Sequence, residues 1–140
     1  MTAEQKRLVQ ESFATLKPVS DLLGDIFYSR LFEVDPPLKH LFPVDMNSQG
    51  EKLIEAVNEA VACLDCMERL EAAMQELGLR HAAYGARDHH YDAVEQALVW
   101  TLRMGMGDHA FTGDVRQAWV AVYGHLAAAM KRGAAQPIAT

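Results

Sequence analysis

The chain has few of the features that mark secreted, membrane-spanning or nucleic-acid-binding proteins. It has only two cysteines in 140 residues, but half of its residues are hydrophobic, which is enough for a core without disulfides. No apolar run approaches the roughly 20 residues that cross a bilayer, and the polar N-terminus has no signal-peptide core. A formal net charge of −6 disfavours a phosphate-backbone partner, which would require a basic surface. We therefore expect a cytoplasmic protein without a nucleic-acid or membrane partner.

The two cysteines, Cys63 and Cys66, have the CxxC spacing that invites a redox or metal interpretation. A zinc site needs two further ligands, and the sequence has no second CxxC and no HxxxH. Covalent haem attachment needs a histidine directly after the second cysteine, where this chain has Met67. We interpret the pair as two ordinary thiols on a helix, with a stress-linked disulfide as the alternative.

Helical periodicity runs along the whole chain instead. Every segment longer than ten residues repeats with a helical period, and none shows sustained strand alternation. Thr2 and Gln5 form a capping box at the start of the first helix, and Thr112 and Asp88 are the expected caps of two later helices. We predict one domain, residues 1–140, with six or seven helices and a frayed tail over about 134–140. The predicted interruptions are Pro18, Pro36–Pro37, a loop from Phe42 to about Ser48, a break near Glu68, and glycines at 85, 105 and 107.

His81 is the first residue that indicates chemistry. It extends by one turn an apolar helical stripe that includes Met74 and Leu77. The carbonyl of Leu77, four residues earlier, is in reach of one ring N–H, which would leave the other nitrogen for a metal. A histidine that is merely hydrogen-bonded in the core is the alternative.

Three further residues could complete a pocket around such a metal. Gln49 extends the apolar stripe of the long helix, one turn before Leu53, and Tyr28 lies beside the buried stripe of the second helix. Phe42 begins a loop, where a phenylalanine is expected to pack on something large. Apolar walls that each carry a single polar residue are more typical of a cofactor pocket than of a closed core. The alternatives are a solvated helix end for Gln49 and a structural role for Tyr28.

With His81, Gln49, Tyr28 and Phe42 in these positions, the sequence resembles the bacterial single-domain haemoglobins and the haem domain of flavohaemoglobins. It is also similar to neuroglobin. The likeness extends from Leu8 to Gly133, and the spacing from Gln49 to His81 matches without gaps. The segments that carry it are FYSRLFEVDPPLKHLF, SQGEKL, LEAAMQELGLRHAAYG followed by HHY, and FTGDVRQAWVAVYG. The resemblance implies an all-α globin fold, with six to eight helices around a haem b pocket.

The resemblance also implies roles for individual residues. His81 matches the proximal iron ligand, which follows Leu77 by one turn, and Phe42 matches the phenylalanine on the haem face. Lys52 matches a position that often meets a haem propionate. Tyr91 matches a proximal tyrosine that flavohaemoglobins use, together with a glutamate, to polarise the histidine.

The distal pocket and the function follow from the same resemblance. Tyr28, Gln49 and Leu53 match a distal pocket of the flavohaemoglobin type, in which two donors hold oxygen tightly. No acidic residue follows Asp114, so the polarising glutamate is missing. We expect a protein that binds O2, NO and CO and converts nitric oxide to nitrate, with a separate reductase because the chain has no flavin domain. Oxygen storage or sensing, and a haem-free interaction module, are the alternatives.

Overall fold

The computed structural model describes residues 1–42 and 46–135, and within them it contains helices and no strand. The all-α prediction is confirmed, and no described helix combines the length and apolarity that a bilayer span requires. The six α-helices are α1 (Ala3–Ala14), α2 (Ser20–Val34), α3 (Met46–Ala62), α4 (Met67–Ala83), α5 (Asp88–Met106) and α6 (Gly113–Ala134). Two 3₁₀ helices, Lys17–Val19 and Pro36–Leu41, precede and follow α2.

Two of the predicted helix starts are confirmed in atomic detail. The Thr2 hydroxyl accepts a hydrogen bond from the Gln5 N–H over 3.0 Å, and the Gln5 side chain accepts one from the Thr2 N–H over 2.9 Å. The Thr112 hydroxyl accepts from the Val115 N–H over 3.3 Å. These bonds satisfy N–H groups that a first helical turn otherwise leaves without partners.

Three predicted boundaries in the first two-thirds of the chain are wrong. The first helix ends at Ala14, and Pro18 lies instead in the 3₁₀ helix that follows. The long helix begins at Met46, so Gln49 lies within its first turn and does not open it. The break predicted near Glu68 falls earlier, at residues 63–66, and residues 43–45 of the predicted loop lie outside the described residues.

The last helices also differ from the prediction at their ends. Arg87, not Asp88, caps α5, because the His90 ring accepts the Arg87 N–H over 2.9 Å. Gly105 lies inside α5, and the helix ends at Met106 with Gly107 as its cap, whose φ of +83° favours glycine. Helix α6 reaches Ala134, the first residue of the predicted tail, and residues 136–140 lie outside the described part of the chain.

Close helix crossings are made where glycines remove side chains. At the crossing of α2 and α3, a Cβ on Gly24 would lie 2.7 Å from the Cα of Gly50. At the crossing of α4 and α6, a Cβ on Gly78 would lie 1.9 Å from the carbonyl oxygen of Met130. In both places the backbones touch, so the register of each pair of helices is set by main-chain contact.

Two apolar clusters fill the interior. The larger one joins all six α-helices around Leu16, Leu64 and Trp119. The smaller one joins α2 and the second 3₁₀ helix to α5, around Phe27, Leu31 and Ala97. Tyr28 belongs to the smaller cluster, which therefore forms one wall of the region predicted to carry the site.

Candidate functional site

Tyr28 and Gln49, which the sequence placed near a common pocket, are in contact in the structure. The Gln49 Nε2 donates a hydrogen bond to the Tyr28 hydroxyl oxygen over 3.3 Å. The Tyr28 side chain is 7% exposed, and burial raises the pKa of its phenol, which the bond from Gln49 only partly offsets. The phenol is therefore protonated at neutral pH and retains its O–H as a donor.

The crossing of α2 and α3 brings this pair together. Tyr28 lies one turn after Gly24 on α2, and Gln49 directly precedes Gly50 on α3. Because the two glycines touch through their backbones, the side chains beside them are held within hydrogen-bond distance. Neither glycine was predicted to belong to the site, because a glycine inside a helical pattern is only a weak hint of close packing.

An aromatic wall continues from Tyr28. The ring centroid of Phe42 lies 5.2 Å from that of Tyr28 and 5.6 Å from that of Phe32, both in edge-to-face arrangement. Leu53 is half-buried and packs on the same cluster. The predicted packing of Phe42 on a large partner is thus partly accounted for by two other aromatic rings.

His81 has the local geometry that the sequence predicted. Its Nδ1 lies 2.9 Å from the carbonyl oxygen of Leu77, so Nδ1 carries the proton and Nε2 keeps its lone pair. The surrounding protein atoms lower the pKa of His81, partly offset by the Leu77 carbonyl, and the nearby Arg80 lowers it further. The ring is therefore neutral at pH 7, and it is exposed where the sequence analysis placed it within an apolar core.

The end of the His81 helix adjoins the aromatic wall. A Cβ on Gly85, just beyond α4, would lie 3.2 Å from the Leu41 side chain, which directly precedes Phe42. Earlier on α4, three residues before His81, Gly78 touches the Met130 carbonyl. A contact of 2.6 Å between His125 Nε2 and the Glu71 carboxylate links α4 to α6 a second time. The position of His81 is thus fixed from both ends of its helix.

Tyr91 lies in the first turn of α5 and is 8% exposed. Its hydroxyl is buried and has no hydrogen-bond partner, and burial raises the pKa of the phenol, with a smaller effect from Asp88. The Lys131 ammonium lies 5.4 Å from the centroid of the ring, and the Tyr123 hydroxyl donates to the Tyr91 carbonyl over 2.8 Å. Helix α6 therefore presents a cation, not a carboxylate, next to this tyrosine.

Lys52 is exposed on α3, directly before Leu53 in the sequence. The two cysteines are free and lie at the turn between α3 and α4, with Cys66 exposed and Cys63 packed against the larger cluster. They therefore occupy a turn and not the helix that the sequence suggested.

The chemistry of these residues fits a haem. A neutral imidazole with one free nitrogen is the usual axial ligand of haem iron. The aromatic and aliphatic wall of α2, α3 and the second 3₁₀ helix suits an apolar macrocycle, and the Tyr91 hydroxyl is a buried polar group without a partner. Together, the helical fold and this donor set are those expected of a haem protein whose described residues form helices.

Comparison with known proteins identifies the family within that class. The globin family model matches residues 25–130. Neuroglobin-2 of Oncorhynchus mykiss is 32% identical over 147 residues, a match that covers 95% of this chain and 92% of the relative. The chain belongs to the globin family, and it is therefore a haem-binding protein whose ligands are diatomic gases.

Two other similarities bear on function. The flavohemoprotein of Vibrio cholerae is 29% identical over 130 residues, but the match covers 91% of this chain and only 33% of the relative. The chain thus spans about a third of that protein. An engineered carbene transferase, made from a Rhodothermus marinus protein named as a putative nitric oxide dioxygenase, superposes with a TM-score of 0.85 at 28% identity. That superposition covers 97% of this chain and 94% of the other.

Proposed function

We propose that this globin holds haem b through His81 and binds oxygen, nitric oxide and carbon monoxide beside Tyr28 and Gln49. We further propose that it converts nitric oxide to nitrate with electrons from a separate reductase. The observation that carries the proposal is the hydrogen bond from Gln49 to Tyr28, because it leaves the phenol proton available for a ligand.

On the proximal side, the bond between His81 Nδ1 and the Leu77 carbonyl fixes the tautomer and the ring plane. Nε2 is then the nitrogen that would take the iron. Tyr91 would lie on the same side, and Phe42 would pack on the face of the macrocycle. Lys52, exposed on α3, would meet a propionate.

When bound, the haem supplies the iron to which a diatomic gas coordinates and through which electrons pass. The residues of this chain determine what happens around that iron. The Tyr28 O–H donates to an electron-rich ligand atom, and Gln49 keeps the phenol in the orientation that makes this possible. Because the wall around them is apolar, such a hydrogen bond is stronger there than in water.

The conversion of nitric oxide balances with one electron. Nitric oxide and oxygen together with one electron give nitrate, so each turnover requires one electron from outside. Tight retention of oxygen favours this chemistry over release to another protein. The name of the Rhodothermus marinus relative agrees with it, whereas the ammonium of Lys131 beside Tyr91 gives no support for peroxidase-like chemistry.

The test is sustained turnover. The haem-loaded protein is mixed with oxygen, NADH, a flavin-dependent reductase and repeated additions of nitric oxide, and nitrate is measured per haem. We expect many equivalents of nitrate per haem, and fewer per minute from Tyr28→Phe. If nitrate stops at one equivalent while the reductase still reduces the haem, storage or sensing is the function. A purified protein that shows no Soret band after haem addition would contradict the proposal at its first step.

A further inference from the structure

Three side chains of metal-ligand type converge on the surface, and none of them is among the residues assigned to the haem pocket. They are Asp35, where α2 ends and the second 3₁₀ helix begins, and His89 and His90 in the first turn of α5. One ligand atom from each lies within 4.8 Å of the other two. Residues far apart in sequence are thus brought to one point by the packing of α2 against α5.

The helix cap explains why two consecutive histidines point the same way. Neighbouring residues on a helix project about 100° apart and do not normally meet. Here the His90 ring turns back so that Nδ1 accepts the Arg87 N–H over 2.9 Å. Its ring centroid then lies 4.2 Å from that of His89. The cap therefore brings the second imidazole to the first.

Backbone hydrogen bonds fix the position of Asp35, the third residue of the cluster. Its N–H donates to the Leu31 carbonyl over 2.9 Å, and its carbonyl accepts from the Leu38 N–H over 3.0 Å. The carboxylate is half-buried, so its position beside the two rings is set by the corner between the helices and not by a mobile loop.

We propose that Asp35, His89 and His90 bind a divalent transition-metal ion of the zinc type. Two imidazoles and one carboxylate are a ligand set that suits Zn²⁺, whereas Mg²⁺ and Ca²⁺ take oxygen ligands. Three protein ligands would leave a fourth tetrahedral position to water. The ion would join the end of α2 to the start of α5.

The geometry requires a small closure. In a tetrahedral zinc site with bonds of about 2.0–2.1 Å, the ligand atoms lie about 3.3 Å from one another. The three ligand atoms lie within 4.8 Å of one another here, so any pair that is more than about 3.3 Å apart must move closer. His89 is exposed and has room to rotate, so the movement needs only a side-chain change.

Binding also moves a proton and replaces a hydrogen bond. His90 now accepts through Nδ1, so its neutral form carries the proton on Nε2. If the metal binds Nδ1, it displaces the Arg87 N–H directly. If it binds Nε2, the proton of that nitrogen is taken up at Nδ1, which then no longer accepts. In either case the metal gains a ligand and the helix loses its cap.

The experiment is calorimetric titration of the full chain with ZnCl2, after chelator treatment and buffer exchange. We expect one Zn²⁺ per chain with a dissociation constant in the micromolar range, and no comparable heat with millimolar Mg²⁺. His89→Ala and Asp35→Asn should each weaken binding at least tenfold. His89 is exposed, so its removal leaves the fold intact. The matched control is His109→Ala, because His109 is also exposed and lies outside the cluster.

Thermal unfolding gives a second readout. Excess Zn²⁺ should raise the melting temperature of the wild type and of His109→Ala, but not that of His89→Ala. The proposal is overturned if the wild type binds no Zn²⁺ in the micromolar range. It is equally overturned if binding survives in His89→Ala and Asp35→Asn but is lost in Cys63→Ser/Cys66→Ser, which would place the ion on the thiols.

Discussion

The Gln49 amide donates a hydrogen bond to the Tyr28 hydroxyl oxygen across 3.3 Å, so the amide fixes the orientation of the phenol. The sequence predicted two parallel donors to bound gas. The structure also connects them to each other, with the amide as donor and the phenol oxygen as acceptor, so that the phenol keeps its proton. Burial raises the pKa of Tyr28, so this proton is retained well above neutral pH. The relation between the two side chains determines the first two predictions.

Tyr28→Phe should speed the release of oxygen. The change removes one hydrogen bond to a partly negative ligand, worth about 1.5–3 kcal/mol, which corresponds to roughly 10- to 100-fold weaker binding. Carbon monoxide carries less negative charge, so its binding should change far less. Stopped-flow dissociation of both gases measures the contrast. The matched control is Tyr84→Phe, because Tyr84 is 74% exposed. If Tyr28→Phe releases oxygen at the wild-type rate, the role of the tyrosine is purely structural.

Gln49→Leu should act through Tyr28. Loss of the amide leaves the phenol without the bond that orients it, so oxygen release should speed up by less than in Tyr28→Phe. The double variant should release oxygen at about the Tyr28→Phe rate, because residues that act through one another are not additive. The same stopped-flow assay measures the cycle. Additive effects of the two changes would show instead that Gln49 donates to the ligand independently.

His81→Ala should abolish stable haem retention. The variant removes the neutral imidazole whose tautomer the Leu77 carbonyl fixes. Haem transfer to an excess of apomyoglobin, followed in the Soret region, gives the rate of loss. His109→Ala is the control, since that histidine is also exposed. Normal haem content and an unchanged ferrous spectrum in His81→Ala would rule out the ligand assignment.

The ferrous protein without gas should not be bis-histidine. Helix α3, which carries Gln49, contains no histidine, and an amide is a poor iron ligand. The absorption spectrum of the reduced protein under argon should therefore lack low-spin bis-imidazole bands. His40 lies on the second 3₁₀ helix and is the histidine to test if such bands are seen. Their loss in His40→Ala would contradict the prediction.

Gly78→Ala should destabilise the fold by about 1–3 kcal/mol, because its new Cβ would overlap the Met130 carbonyl and force α4 away from α6. Gly124→Ala is the matched control. Gly124 also lies within a helix, but nothing stands within 4 Å of its Cβ position, so alanine there should raise the free energy of unfolding by about 0.5–1 kcal/mol. Urea unfolding measures both. Equal effects of the two substitutions would show that the crossing tolerates a methyl group.

The sequence predicted best what depends on local spacing. Helical periodicity gave the all-α fold, and the four-residue spacing of Leu77 and His81 gave the bond that the structure contains. The helix crossings could not be read in the same way. Within a single helix, Gly24 and Gly78 are simply weak helix formers. They allow two helices to cross closely, and this role can be recognised only when the second backbone is in place. The cap of α5 was missed because His90, not an acidic residue, accepts the Arg87 N–H.

The contact of Gly24 with Gly50 has a consequence for how a gas meets this protein. Because main chain lies against main chain there, neither helix can shift to adjust one donor without moving the other. The bond between Gln49 and Tyr28 is already formed without a ligand, so under the proposed binding mode a gas would find the donor oriented and would lose little affinity to reorganisation. Affinity in this globin should therefore respond to changes of side-chain chemistry at two positions, and very little to changes that merely loosen the surface.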